Sequence, residues 1–306
     1  MQNYAEGWTN GKFEEKFDYR ECIDPPRYRK EDETGLYMGW FWEYSEMRAK
    51  EFKCLSVQGH TETIREHVAK KKVKALMLDR GEQVMHDRFG DENYWGVRRS
   101  MRFSEEVVGI ANEFRRSKLG STDEKDYTVR SEKWEDFKPE RGTAKGWNGM
   151  CVHLRRNDYV HSRKKQIPSI KGAAEQIQRK LKEKGLKTVF VSTDAPMEEF
   201  DQFKDNLGSG FEAVKFVPEP DVLKKYKDGG VAIIDQIVCS HAKHFIGSAE
   251  STFTFRIQEE REIMGFAVED TFGMLCPDGQ FDCEKGSIWK IAYPAEERKI
   301  EKHEEL

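Results

Sequence analysis

The chain has 306 residues, enough for one large domain or two ordinary ones. Charged residues make up 35% and hydrophobic ones 37%, and the net charge of −4 gives no general attraction to nucleic acid or an anionic membrane. No apolar run approaches the ~20 residues of a membrane span, and Met1-Gln2-Asn3-Tyr4-Ala5-Glu6-Gly7-Trp8 has neither the basic flank nor the apolar core of a signal peptide.

Residues 1 to about 60 are aromatic and charged around Pro25-Pro26, without clean periodicity. They read as loops and short helices packed by Trp8, Phe13, Phe17, Trp40, Phe41 and Trp42. Residues 61–71 read as a helix, with Ile64 and Val68 four apart and Lys70-Lys71-Lys72 at its carboxyl end. Val73 to Leu78 reads as a buried strand ending at Asp79-Arg80. Trp95, Met101, Phe103, Val107, Ile110, Ala111 and Phe114 form a helical stripe over 94–119. The polar stretch from Gly120 to Gly146 reads as a linker to a second unit.

Beyond it the pattern alternates strand and helix. A strand at 149–154 precedes a helix around 169–184, with Ile170, Ala174, Ile177 and Leu181 on one face and Gly185 past its end. Val189-Phe190-Val191 is a buried strand, and Pro196 opens a helix carrying Met197, Phe200, Phe203 and Leu207. Val214 to Val217 is a further strand and Leu223 to Tyr226 a short helix. Gly230 to Ala242 is an almost wholly apolar helix, His244 to Gly247 a strand, and Ser251 starts the next helix. Such alternation means a parallel sheet wrapped on both faces.

Six cysteines are present. Cys276 and Cys283 flank the turn-like Pro277-Asp278-Gly279, which would let them meet as a local disulfide. Cys22 and Cys54 sit in polar, loop-like contexts, whereas Cys151 and Cys239 lie in apolar runs and read as buried thiols. Spacing alone leaves open that all six are reduced.

The chemistry concentrates where strand 150–154 runs into Arg155-Arg156-Asn157-Asp158. Open α/β folds place ligands at the carboxyl edge of the sheet, and the planar guanidinium fork suits phosphate oxygens. The alternative is that these arginines are solvated or paired with acids such as Asp158. Ser251-Thr252 at a helix start is either a simple cap or, with the free backbone N–H groups, part of an anion site. Asp235, a lone carboxylate in an apolar helix, needs a partner: a guanine edge or a structural arginine. Glu260 sits in the run Glu259-Glu260-Arg261-Glu262, which spacing reads as a solvated face with i,i+4 pairs. No His/Asp cluster has metal-ligand spacing, and no complete phosphate-loop fingerprint occurs.

His153-Leu154-Arg155-Arg156 resembles a block of the GDP-fucose protein O-fucosyltransferases. The likeness continues through Tyr226-Lys227-Asp228-Gly229-Gly230-Val231-Ala232-Ile233-Ile234-Asp235-Gln236, Ser251-Thr252-Phe253, Phe255-Arg256-Ile257 and Glu259-Glu260-Arg261-Glu262. Upstream, Gly39-Trp40-Phe41-Trp42, Cys54-Leu55-Ser56-Val57-Gln58-Gly59 and Met77-Leu78-Asp79-Arg80 are similar to the same family. The resemblance, closest to type 2 members, implies an α/β, GT-B-like fold of two Rossmann-like domains, the first incomplete here. It divides the chain into 1–140, a remainder of the first domain with its linker; 141–302, the GDP-fucose-binding domain; and 303–306, a tail. Residues His303-Glu304-Glu305-Leu306 are similar to retrieval tetrapeptides of the endoplasmic reticulum.

The same resemblance implies that Arg155, Ser251, Thr252 and Phe253 hold the pyrophosphate of GDP-fucose, that His153 contacts the nucleoside and that Asp235 reads guanine. It marks Arg155 and Glu260 as catalytic, and expects disulfides at Cys22, Cys54, Cys276 and Cys283 in an oxidising compartment. The implied reaction moves fucose, with inversion, to Ser or Thr of folded thrombospondin type 1 repeats. No metal or cofactor is expected beyond the donor, and neither nucleic acid nor a membrane span is a partner. The family's general-base glutamate falls in a segment upstream of this chain, so little or no transferase activity is expected of it as written. Rival readings are a fucosyltransferase for EGF-like repeats or N-glycan cores, a non-catalytic luminal binding protein for client repeats, and a generic nucleotide-binding α/β protein.

Overall fold

The structure is a computed structural model that describes residues 89–280, 283 and 290–294, five short strands between 17 and 57, and the single positions Gly35, Arg65 and Ala69. Packing divides the chain into units of residues 1–91 and 92–306. In the first, β1 (Phe17–Asp18) pairs antiparallel with β5 (Ser56–Val57). There too β2 (Tyr28–Lys30), β3 (Tyr37–Phe41) and β4 (Tyr44–Ala49) form an antiparallel sheet. The expected strand at 73–78, Cys22, Cys54 and the tail at 303–306 lie outside the described residues, as does the helix at 61–71 apart from Arg65 and Ala69, which are helical.

The second unit carries a five-stranded parallel sheet, in the order β10 (Gly273–Met274), β9 (Ala242–Gly247), β6 (Trp147–Leu154), β7 (Thr188–Thr193), β8 (Glu212–Val214). Buried parallel strands read as continuous apolar runs, as Met150-Cys151-Val152 and Val189-Phe190-Val191 do. Side chains alternate between the two faces. Met150, Val152 and Leu154 join Val189 and Val191 under helices α5 (Ile170–Lys184) and α6 (Met197–Leu207). Trp147, Cys151, Phe190 and Phe245 meet α2 (Glu105–Leu119) and α7 (Pro220–Ser240) on the other face. The α/β expectation holds: helices cover both faces of one parallel sheet.

Helix α5 begins at Ser169, whose hydroxyl accepts from the Gly172 amide at 3.0 Å, and ends at Gly185 in the left-handed region. That cap, with an apolar face of Ile170, Ala174, Ile177 and Leu181, is the helix the spacing predicts.

Several expectations change. The stripe at 94–119 is two helices, α1 (Glu92–Ser100) and α2, separated at 101–104. They belong to the second unit, because Val107 and Ala111 of α2 cover the face beneath α7. By packing, the second unit begins at Glu92. The polar stretch 120–146 is tied down: α3 (Asp123–Asp126) presents Asp123 and Asp126 to the buried Arg115 guanidinium at 2.8 and 3.0 Å. Its polarity reads as a linker because the buried arginine that satisfies it comes from the preceding helix. The short helix at 223–226 and the apolar one after it run together as α7, broken at Lys227 (φ 55°).

Cys276 and Cys283 form the expected local disulfide, with a Cα–Cα distance of 5.5 Å. Cys151 and Cys239, read as thiols, are instead bonded to each other, joining β6 to α7 with Cα atoms 5.1 Å apart. Both apolar runs are in the core, and the sheet–helix packing brings the two sulfurs together.

On α6 the register sends Phe203 fully into the core and leaves Met197 46% exposed. Phe203→Ala is expected to lower unfolding stability by about 3–5 kcal/mol in urea titrations, and Met197→Ala by less than about 0.5 kcal/mol. Equal losses would contradict this register.

Candidate functional site

The carboxyl ends of β6, β7 and β9 form one edge. In the parallel pairing of β6 with β9, His153 lies opposite Gly247. Just past that rung, the Ser248 hydroxyl accepts from the Arg155 amide at 2.9 Å and donates to the His153 carbonyl at 3.1 Å. The chain then turns through Glu250 (φ 53°) into α8 (Thr252–Met264). A glutamate in the left-handed region requires outside restraint. Tyr159, on the short helix α4 (Tyr159–Ser162), supplies it: its hydroxyl donates to the Glu250 carbonyl at 2.9 Å, and Arg163 pairs with the Glu250 carboxylate.

This turn brings the amino terminus of α8 to the end of β6. His153 Nδ1 lies 2.7 Å from Thr254 Oγ1, and its ring stacks on Phe253 with centroids 4.3 Å apart. Gly247 permits the approach, since a Cβ there would fall 2.6 Å from Thr254 Oγ1. Burial, with the Arg155 charge beside it, pushes the His153 imidazole down to about 3, so it is neutral at physiological pH. Ser251 is fully buried, its hydroxyl without a hydrogen-bond partner although Tyr159 is its neighbour. Thr252 is exposed. A helix start with free amides and an unused buried hydroxyl favours an anion.

Arg155 stands at the same edge, its guanidinium 4.8 Å from the Tyr159 ring centroid and its Nε and Nη2 donating to Asp158 at 2.9 and 3.0 Å. Both readings of this arginine thus coexist: it is paired with Asp158, yet its side chain keeps 32% exposure. Arg156 does not share the site. Its guanidinium donates to Glu199 at 2.7 Å and to the Pro168 carbonyl at 3.2 Å.

Asp235 is 6% exposed on α7, with the Ser192 hydroxyl against it and the Lys215 charge near, and no arginine bonded to it. Its Oδ1 has no hydrogen-bond partner. Burial raises the carboxyl to about 7 against the pull of Lys215 and Ser192.

Glu260 is placed elsewhere. It lies eight residues along α8 from Thr252, a rise of about 12 Å. The expected solvated face is buried: Glu259, Glu260, Arg261 and Glu262 are each at most 5% exposed. Arg98 donates to Glu260 at 3.1 Å and Arg130 at 2.6 Å, while Arg98 and Tyr94 also bond Glu259. Burial works to raise the Glu260 carboxyl, but Arg130 and Arg98 outweigh it and hold it below the ordinary range. Arg261 is wholly buried, donating to the carbonyls of Thr271, Ser240 and Asp270 at 2.9–3.0 Å.

Ser248, Tyr159, Thr254 and Lys215 were not singled out from sequence. Only Lys215 left a signal, as a lone charge in the apolar run Val214-Lys215-Phe216-Val217.

The buried Asp235 carboxyl sets a pH dependence. It holds a proton between about 4 and about 7 only in the folded chain, so unfolding stability falls as pH rises through that window. Asp235→Asn, which mimics the protonated form, is expected to melt higher than the unaltered chain at pH 8, with the gap narrowing below pH 7 and closing near pH 4. A lower melting point at pH 8 would contradict the account.

A family profile described as GDP-fucose protein O-fucosyltransferase matches residues 34–264. The chain is 42% identical over 294 residues to the GDP-fucose protein O-fucosyltransferase 2 of Homo sapiens, covering 96% of this chain and 68% of that protein. With the protein of the same name from Caenorhabditis elegans it is 40% identical over 297 residues, covering 96% and 69%. A solved structure of POFUT1 in complex with GDP-fucose superposes with a TM-score of 0.42 and 16% identity, over 70% of this chain and 58% of that one. The profile and these relatives show that the chain belongs to the GDP-fucose protein O-fucosyltransferase family.

Proposed function

We propose that the second unit binds GDP-fucose at the carboxyl edge of its sheet, and that the protein transfers fucose to Ser or Thr of folded thrombospondin type 1 repeats. The observation that carries the reading is the meeting of Arg155 with the amino terminus of α8, through Ser248, Tyr159 and Glu250. A diphosphate seated there receives a guanidinium from one strand end and helix amides with the Ser251 hydroxyl from another.

In the transfer, an acceptor hydroxyl gives its proton to a general base and attacks the anomeric carbon of fucose as the bond to the diphosphate breaks, with inversion. The leaving diphosphate gains negative charge, and preorganised donors at its oxygens lower the barrier. Arg155 fills this part, the role a metal ion takes in other transferases. Its pairing with Asp158 keeps the guanidinium aimed along the edge before the donor arrives. Phe253 and neutral His153 line the apolar side of the nucleoside, and Asp235 accepts from N1–H and the 2-amino group of guanine. Glu260, bonded to two arginines, fits a positioning role: it anchors the body of α8, whose tip meets the phosphates.

Type 2 resemblance in Asp228-Gly229-Gly230-Val231-Ala232-Ile233-Ile234-Asp235 favours thrombospondin repeats over EGF-like ones. The endoplasmic reticulum lumen suits the disulfides Cys151–Cys239 and Cys276–Cys283. Among the described residues no helix is long and apolar enough to cross a membrane.

Arg155→Ala is expected to weaken GDP binding about 10- to 100-fold in calorimetric titration, because a charged hydrogen bond is lost, and to leave guanosine binding unchanged. Equal losses for both ligands would remove the phosphate role. Incubation with labelled GDP-fucose and either folded repeat tests the acceptor: label on an EGF-like repeat alone overturns the choice.

A further inference from the structure

Lys215 lies on the segment that leaves β8 for α7, half-buried beside the buried Phe216. Its Nζ donates to the Thr193 carbonyl at 2.6 Å. One residue back on β7, the Ser192 hydroxyl lies against Asp235. An ammonium and a carboxylate are therefore tied to successive residues at the carboxyl end of one strand, the edge where Arg155 and the α8 tip meet. Each feels the other's charge. Even so, Asp235 Oδ1 makes no hydrogen bond to Lys215 or to any other group. Lys215 has spent one of three donors on Thr193. A buried acceptor without a partner beside a half-used donor is an arrangement that a ligand completes.

The ligand chemistry follows from the order of the two groups. The edge of guanine presents an acceptor, O6, followed by two donors, N1–H and the 2-amino group. Adenine presents a donor followed by an acceptor, and meets an ammonium and a carboxylate with the wrong polarity. We infer that Lys215 determines base specificity, donating to O6 of guanine while Asp235 accepts from N1–H and the 2-amino group. The inference rests on the reading of this edge as a GDP-fucose site and adds to it the residue that makes the site select guanine. Rejection of an ill-matched base is strong because both polar groups would stay buried and unpaired.

Replacing O6 by sulfur isolates the contact, since a thione accepts hydrogen bonds weakly and leaves the other two positions intact. The experiment titrates GDP, 6-thio-GDP and ADP into the unaltered protein and into Lys215→Met, whose side chain keeps the apolar stem. The unaltered protein is expected to bind GDP at least about tenfold more tightly than 6-thio-GDP, as the loss of a charged hydrogen bond requires. Lys215→Met is expected to bind GDP at least about tenfold more weakly than the unaltered protein, and to bind GDP and 6-thio-GDP within about twofold of each other. Equal binding of the two by the unaltered protein overturns the inference, whether or not the variant folds. So does a variant that weakens both ligands by one factor and keeps their ratio, which assigns Lys215 to holding the fold. Binding of GDP no tighter than ADP by the unaltered protein is a different failure, that of the GDP-fucose site itself.

Discussion

Parallel pairing of β6 with β9 sets His153 opposite Gly247, and the groups at the carboxyl edge are placed by that register. Two residues past the rung on one strand comes Arg155; a few past it on the other comes the turn into α8. Ser248 bonds the first to the second through the Arg155 amide and the His153 carbonyl. A strand slipped by one residue would send His153 and Thr254 to opposite faces and break the 2.7 Å contact between them. The site is a consequence of sheet registry before it is one of side-chain choice.

The body of α8 is held through charged side chains that it buries itself. Arg98 and Arg130 on Glu260, and Arg261 on the carbonyls that end α7 and α9 (Val268–Thr271), fix the helix while its tip stays open. Breaking one member of such a buried set costs more than an exposed pair would, about 3–5 kcal/mol, because the partner is left charged and unsolvated. Asp235 is the opposite case. It is buried with no hydrogen bond at Oδ1, and that burial raises its carboxyl and costs the fold stability.

Strands 150–154 and 189–191, the helix capped by Ser169 and Gly185, and the helix start at Ser251 were legible because each rests on local spacing and capping. The edge position of Arg155 followed from them. What was not legible depends on distant partners. Glu259 to Glu262 look solvated in isolation; the arginine and tyrosine that bury them stand 130 to 165 residues away. Cys151 and Cys239 look like apolar thiols until α7 is laid on β6. The stretch 120–146 looks like a linker until Arg115 is known to be buried beneath it. Lys215 was visible as a misplaced charge, but its meaning required Asp235, twenty residues on, to share the end of β7.

The central claim is that Arg155 and the α8 tip act on one pair of phosphates. A double-mutant cycle on the GDP dissociation constant tests it directly, using Arg155→Ala, Ser251→Ala and the two combined. The account predicts that the combined loss differs from the sum of the single losses by more than about 0.5 kcal/mol. Losses that add to within about 0.3 kcal/mol would mean that the two groups serve different parts of the ligand.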